Sequence, residues 1–155
     1  DLHKAIRRQR QMCIRDRLRT SAEENLTRRG GYVISDVAKG KKRKATIIAT
    51  GSEVSLAVEA QRQLREEGIE TAVVSMPCAE LFDAQDVSYQ EDVLGAAPRI
   101  AVEAASKFGW ERYVGLNGDI IGMDGFGASG PAEELYKYFG ITVDEVVDAV
   151  KNCLK

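Results

Sequence analysis

The sequence predicts an α/β fold in three layers (α/β/α), with a mostly parallel sheet of about five strands between two layers of helices. Two observations lead to this prediction. Residues 45–50, 71–76 and 99–104 are short runs of apolar and β-branched residues, the pattern of strands that are covered on both faces. These runs alternate with segments whose apolar residues recur at helical spacing, which is typical of parallel strands joined by helical crossovers.

The first half of the predicted fold begins with a short strand at 32–36, after a Gly-Gly turn. The apolar strand 45–50 ends at Gly51. Ser52 is a good N-cap, and we expect a helix from there to Glu67, with Gly68 ending it. The strand 71–76 follows and is ended by Pro77.

The second half continues the alternation. Asp83 is predicted to cap a helix that reaches about Leu94, and the strand 99–104 follows. A short helix is expected around 107–114 and a short strand at 119–123.

Two helices are expected to close the chain. Ser129 or Gly130 caps the first of them, with Pro131 in its first turn and Gly140 at its end. Thr142 and Glu145 have the spacing of a capping box for the last helix.

Charge is distributed unevenly along the chain. Residues 1–44 carry 14 basic and 5 acidic residues, whereas residues 45–155 carry 8 basic and 19 acidic ones. Met12–Arg17 resembles a translated sequencing-adapter remnant, so we expect residues 1–18 to be a spurious or disordered basic arm; a solvated tail and a nucleic-acid-binding arm are the alternatives. Residues 19–44 are then a linker and the first strand, and residues 45–155 the α/β domain. The basic run 40–44 is expected at an exposed hairpin or loop tip.

Composition excludes several classes of protein. No apolar run approaches the roughly 18 residues that a membrane helix needs, and the Arg-rich start is unlike a signal peptide. The three cysteines, Cys13, Cys78 and Cys153, do not have zinc-site spacing, and their odd number argues against a disulfide scaffold. A reducing compartment is therefore expected.

Few residues of the sequence are candidates for catalysis or for ligand binding. The lone histidine, His3, lies in the doubtful arm, so His-dependent nucleophilic and metal sites are not expected in the domain. Gly51 and Ser52 open a helix directly after a strand and are weak candidates for an anion-binding loop, the alternative being a capped turn. Residues 125–130 match G-x-G-x-x-G, but no second strand follows, so a tightly packed surface loop is favoured over a dinucleotide site.

One acidic residue is unusual. Glu103 lies in an apolar strand, and a buried carboxyl must be paired or have a shifted pKa. The alternative is a strand-end residue that bonds to neighbouring backbone.

An ordered set of motifs resembles the C-terminal domain of transketolase from about Arg19 to the end of the chain. The motifs are Arg29–Ile34, Ile48–Val54, Val73–Pro77, Val102–Ala104, Tyr113–Gly118 and Gly122–Ala132. The resemblance implies a domain of a cytoplasmic, homodimeric transferase of the pentose phosphate pathway. That enzyme uses thiamine diphosphate and a divalent metal, Mg²⁺ or Ca²⁺, to move a two-carbon ketol unit between sugar phosphates.

The resemblance also implies what this domain does not do. In the family, separate pyrimidine-binding and diphosphate-binding domains hold the cofactor, metal and catalytic groups, and the third domain supports the structure and the dimer. We therefore expect a C-terminal fragment with no catalytic, cofactor-binding or metal-binding residues, no membrane or nucleic-acid partner, and no activity by itself. The Ser-Arg-Gln-Asn segment that the family carries just upstream is replaced here by the arm, and Arg8-Gln9 is assigned no role. The alternative is a stand-alone α/β module that binds a small anionic ligand.

Apolar surface is expected to lie bare on such a domain. Phe126, between two glycines, is the main candidate, together with the surroundings of Trp110 and Tyr113.

Overall fold

Residues 25–155 are described by a computed structural model, in which five strands form one sheet. The strands are β1 (Tyr32–Ser35), β2 (Ala45–Ala49), β3 (Thr71–Ser75), β4 (Arg99–Ser106) and β5 (Asp119–Met123). Their order is β1-β3-β2-β4-β5; β2 to β5 are parallel, and β1 runs antiparallel to β3. The predicted mostly parallel sheet of about five strands is confirmed.

Burial explains why β2 and β3 consist almost entirely of apolar residues. Every residue of both strands is buried, because helices cover both faces of the sheet at its centre. Side chains alternate between the faces. Ile47 and Val73 are register partners in one core cluster, and Ile48 and Val74 are partners in the other.

The helices divide into two layers. They are α1 (Glu53–Glu66), α2 (Ala79–Asp83), α3 (Val87–Leu94), α4 (Glu111–Val114), α5 (Ala132–Tyr138) and α6 (Val143–Cys153), and a 3₁₀ turn (Leu26–Arg29) precedes β1. Side chains of α1, α5 and α6 pack in the cluster that contains Ile47, whereas those of α2, α3 and α4 pack with Ile48. The three-layer architecture is thus confirmed. No helix among residues 25–155 is both long and apolar enough to cross a membrane.

The region around Asp83 differs from the prediction. Two helices, α2 and α3, replace the single helix that Asp83 was expected to cap, and Asp83 is the last residue of α2. Its carboxylate accepts a hydrogen bond from the hydroxyl of Tyr113 (2.8 Å) and pairs with Arg112. Because these tertiary partners occupy the carboxylate, it caps no backbone N–H.

Some helix ends could be predicted from residues that are close together in the sequence, and others could not. The Thr142 side chain accepts a hydrogen bond from the backbone N–H of Glu145 (3.3 Å), as predicted, and Gly140 ends α5 with a positive φ of 68°. Pro131, by contrast, occupies the N-cap position of α5 instead of its first turn. Ser52 stands at the N-cap position of α1 but makes no side-chain capping bond.

The basic run 40–44 lies in a loop and not in a hairpin, because β3 separates β1 from β2 in the sheet. Arg43 departs from the expected exposure, since its side chain is only 17% exposed. It donates to the carbonyl oxygen of Val93 (3.1 Å) and pairs with Asp36 (3.0 Å). One cation of the run therefore ties the loop to α3.

Gly30 is a position that only glycine fits. Its φ is +81°, and a Cβ added there would lie 2.3 Å from both the Cys78 carbonyl oxygen and the Phe82 amide nitrogen. The turn before β1 is thereby pressed against the start of α2.

Candidate functional site

The strand order places a crevice at the carboxyl edge of the sheet. From β2 the chain passes through α1 on one face to β3; from β4 it passes to α4 on the opposite face. Because β2 and β4 are neighbours, the loops that follow them diverge and leave a gap between them. In open parallel sheets, ligands bind at such a topological switch point.

The turn after β2 supplies one side of the crevice. The hydroxyl of Ser52 donates to Oε1 of Glu53 (2.7 Å) and lies 3.1 Å from the hydroxyl of Tyr136. Tyr136, on α5, donates to the same carboxylate oxygen at 2.5 Å. These contacts use the Ser52 hydroxyl that a helix N-cap would otherwise require.

Glu53 is the most deeply buried carboxyl described for this edge, with an exposed fraction of 4%. Its position in the first turn of α1 is favourable for a negative charge. Burial, and secondarily the hydrogen bond to Glu53, raises the pKa of Tyr136 above its usual value. The phenol therefore stays protonated at neutral pH and acts as a donor.

Glu103 faces the crevice from β4. It lies within the strand and not at its end, and it is partly buried. Burial raises the pKa of the Glu103 carboxyl, the Glu53 carboxylate raises that pKa further, and hydrogen bonding to the Trp110 side chain opposes the rise. Of the two hypotheses from the sequence, the structure therefore supports a carboxyl with a shifted pKa, although Glu103 is only partly buried.

A cavity of about 330 Å³ lies beside Glu103. It is lined by Thr50, Met76, Ala79, Glu103, Phe108, Gly109, Trp110, Arg112 and Tyr113. The residues come from the ends of β2 and β3, from β4 and the loop after it, and from the starts of α2 and α4. This volume falls in the range of small-molecule sites.

A separate cavity of about 250 Å³ is almost entirely apolar. It lies between β5, the loop 124–131 and α5, and its lining includes Ala104, Met123, Leu135 and Phe139. Tyr136 is the one titratable side chain in its lining. The cavity can therefore hold apolar groups, but it supplies no cluster of catalytic side chains.

The predicted anion loop at Gly51 and Ser52 remains a prediction, and its surroundings are unfavourable. The Glu53 carboxylate lies against the Ser52 hydroxyl and would repel a phosphate or carboxylate. Among residues 25–155, no group of three or more His, Cys, Asp or Glu side chains is placed to hold a metal ion.

The remaining sequence candidates are separate from the crevice. Residues 125–130 form a surface loop as predicted, with no strand after β5 in the part of the chain that the structure describes, but the expected tight packing is wrong because all six residues are exposed. The thiol of Cys78 donates to a Glu80 carboxylate oxygen at 3.4 Å, and burial raises the pKa of the Cys153 thiol. Cys13 and His3 lie outside the described residues.

Exposed aromatic side chains are only partly where the sequence suggested. Phe126 is fully exposed, as expected, but Tyr113 is buried in the cluster with Phe82 and its ring lies at an angle to Trp110. Phe108, which sequence reasoning did not single out, is 88% exposed.

Sequence reasoning found Glu103 but missed its partners. Trp110, just before α4, lines the same cavity, and Glu53 on α1 and Tyr136 on α5 influence the electrostatics of this edge. The strand order that brings them together was the missing information. The sequence held one local indication of this site: the segments after β2 and β4 both begin at the carboxyl ends of predicted strands.

Comparison with known proteins relates this chain to a single enzyme family. A family model described as the transketolase-like TK C-terminal domain matches residues 30–142. The transketolase of Sinorhizobium medicae is 53% identical over 138 residues, which are 88% of this chain and 20% of that protein. The chloroplastic transketolase of Solanum tuberosum is 48% identical over 126 residues, which are 80% of this chain and 17% of that protein.

The solved transketolase from Leishmania mexicana superimposes with a TM-score of 0.74 at 47% identity, covering 84% of this chain and 19% of that one. The chain thus spans about a fifth of the length of the relatives that it matches. It belongs to the transketolase-like C-terminal domain family.

Proposed function

We propose that this chain is the C-terminal domain of a thiamine diphosphate-dependent transketolase, a transferase that moves two-carbon ketol units between sugar phosphates. The observation that carries the proposal is the family match over residues 30–142 together with the identity of 53% to a full-length transketolase. In this assembly the domain has a structural role, and the missing pyrimidine-binding and diphosphate-binding domains hold the cofactor and the catalytic groups.

The described residues do not fit the cofactor. Thiamine diphosphate needs a site for its diphosphate and a divalent metal beside it. The Gly51-Ser52 turn carries the buried Glu53 carboxylate, and no three-residue metal group is present among residues 25–155. The only histidine of the chain, His3, lies outside the matched segment. We therefore derive no reaction step for this chain.

A role in packing against the rest of the enzyme is supported by apolar side chains at the carboxyl edge. Phe108 follows β4 and Phe126 follows β5, and both are largely exposed. An ion pair between Lys107 and Asp124 (2.8 Å) joins the two loops that carry them. Exposed aromatic side chains on neighbouring loops are typical of surfaces that contact other domains or subunits. We assign the exposed loop that carries Phe126 to contacts within the homodimeric enzyme.

The remaining properties follow from the family assignment. We propose Mg²⁺ or Ca²⁺ as the metal of the complete enzyme, sugar phosphates as its substrates, the pentose phosphate pathway as its context and the cytoplasm as its location. The matched relatives include chloroplastic transketolases, so the compartment needs its own test. The boundaries at residues 18 and 44 also stay proposals.

The stand-alone module for a small anionic ligand is not favoured. It requires an electropositive site, and the turn that would supply the backbone N–H groups carries Glu53.

Two measurements test the proposal. The gene upstream of this segment should encode an in-frame pyrimidine-binding domain; a start codon near Gly31 would favour the stand-alone module instead. The purified chain, assayed for ketol transfer with thiamine diphosphate and Mg²⁺, should show no turnover above a buffer blank. Measurable turnover would mean that the catalytic groups are within this chain.

A further inference from the structure

The residue types that line the 330 Å³ cavity at the switch point are not explained by a purely structural role of the domain. One wall is aromatic and apolar, formed by Met76, Phe108, Trp110 and Tyr113. The carboxyl of Glu103 lies in the same lining, next to the indole. An aromatic wall with one convergent carboxyl is the usual composition of a site that orients a small ligand through a single polar group.

The lining of the cavity carries one acidic and one basic side chain, Glu103 and Arg112. Arg112 supplies a positive charge in the lining, but it pairs with Asp83. Its guanidinium also lies over the Tyr113 ring, 4.8 Å from the ring centroid. Glu103 lies in the same lining as the Trp110 indole, and the like-charged Glu53 raises the pKa of the Glu103 carboxyl. A ligand placed in this cavity therefore meets the Glu103 carboxyl and the Trp110 indole.

These features select a cation. Within the lining, the positive charge of Arg112 is already paired with Asp83, whereas the Glu103 carboxyl faces the cavity. The face of the Trp110 indole also attracts organic cations, whereas the Tyr113 ring already has Arg112 over it. An anion would be repelled by the Glu103 carboxylate, and a neutral ligand would gain no attraction from its charge.

We propose that this cavity binds a small organic ammonium ion with an apolar body, its charge set against Glu103 and its body against Trp110. The inference is independent of the transketolase assignment, because it rests on the lining of the cavity alone.

The chain contains its own reporter for this proposal. Trp110 is the single tryptophan of the sequence and lines the cavity, so indole fluorescence reports on this site alone. We would titrate the full chain with 2-phenylethylammonium, with its neutral isostere 2-phenylethanol, and with the anion 3-phenylpropionate. The ammonium ion should give a saturable change, with an affinity about tenfold or more above that of the alcohol.

Matched variants assign the preference to one carboxyl. Glu103→Gln keeps the shape of the side chain and removes its charge, and should reduce the preference for the ammonium ion to near unity. Glu91→Gln makes the same charge change on α3, in a different cavity that includes Lys42 and Pro98, and should retain the full preference.

Several results would overturn the proposal. They are the absence of saturable binding by the parent chain, equal or tighter binding of the alcohol or of 3-phenylpropionate, and an undiminished preference in folded Glu103→Gln. The comparison of the three probes with the parent chain decides the matter even if the variant does not fold.

Discussion

The hydrogen bond between Tyr136 and Glu53 links α5 to the start of α1, and its removal should destabilise the chain measurably. Tyr136→Phe deletes one hydroxyl and keeps the aromatic ring that packs on the core. The hydroxyl donates to Glu53 Oε1 at 2.5 Å, and Glu53 is 4% exposed, so water cannot readily replace the lost donor.

The size of the effect follows from the charge and burial of the acceptor. A hydrogen bond to a charged group contributes about 1.5–3 kcal/mol. The hydroxyl of Ser52 still donates to the same oxygen in the variant, which places the expected loss near the middle of that range, about 2 kcal/mol.

Urea unfolding at neutral pH measures this loss, and the same helix supplies the control. Tyr138 lies two residues further along α5 and is 78% exposed. Tyr138→Phe should change the free energy of unfolding by less than about 0.5 kcal/mol. A double-mutant cycle with Glu53→Gln should give a coupling energy above about 0.5 kcal/mol. If Tyr136→Phe costs no more than Tyr138→Phe, or if the cycle shows no coupling, the buried link does not exist as described.

Three other substitutions test separate parts of the structure. Gly30→Ala should cost at least about 3 kcal/mol more than Gly40→Ala, because both glycines have a positive φ but only Gly30 has backbone atoms 2.3 Å from an added Cβ; equal losses in urea unfolding would refute the close approach. Glu103→Gln should raise the free energy of unfolding at neutral pH, because burial raises the pKa of Glu103 above its value in the unfolded chain and ionisation therefore opposes folding. That gain should vanish below about pH 4.5, where both states hold the proton, and a gain that grows in acid would contradict the assignment. Phe126→Ser should reduce self-association in sedimentation over a concentration series and change stability by less than about 0.5 kcal/mol; a parent chain that is monomeric throughout, or a variant that unfolds, would disprove an exposed contact surface.

The fold was predictable where neighbouring residues decide the structure. The strands β2 and β3 are continuous apolar runs, and every residue in them is buried. The cap at Thr142 needs only a partner three residues away. The direction of β1 was not predictable, because its neighbour in the sheet is β3, which is not the next strand along the chain.

The site was predictable only in part, for a related reason. Glu103 is conspicuous because an acidic residue stands in an apolar strand. Ser52 and Asp83 are good capping residues by type, yet Tyr136 and Tyr113, 84 and 30 residues away, place other hydrogen bonds at these positions. No local pattern shows such partners, since the strand order brings them together.

The central claim, that this chain is a transketolase C-terminal domain that completes a larger enzyme, is tested most directly by a domain exchange. Residues 30–155 would replace the corresponding segment of the Sinorhizobium medicae transketolase, and ketol transfer would be compared with that of the parent enzyme and of a truncated form without the segment. The exchanged enzyme should turn over sugar phosphates at a rate of the same order as the parent, well above the truncated form. An exchanged enzyme that folds and dimerises but is no more active than the truncated form would contradict the claim.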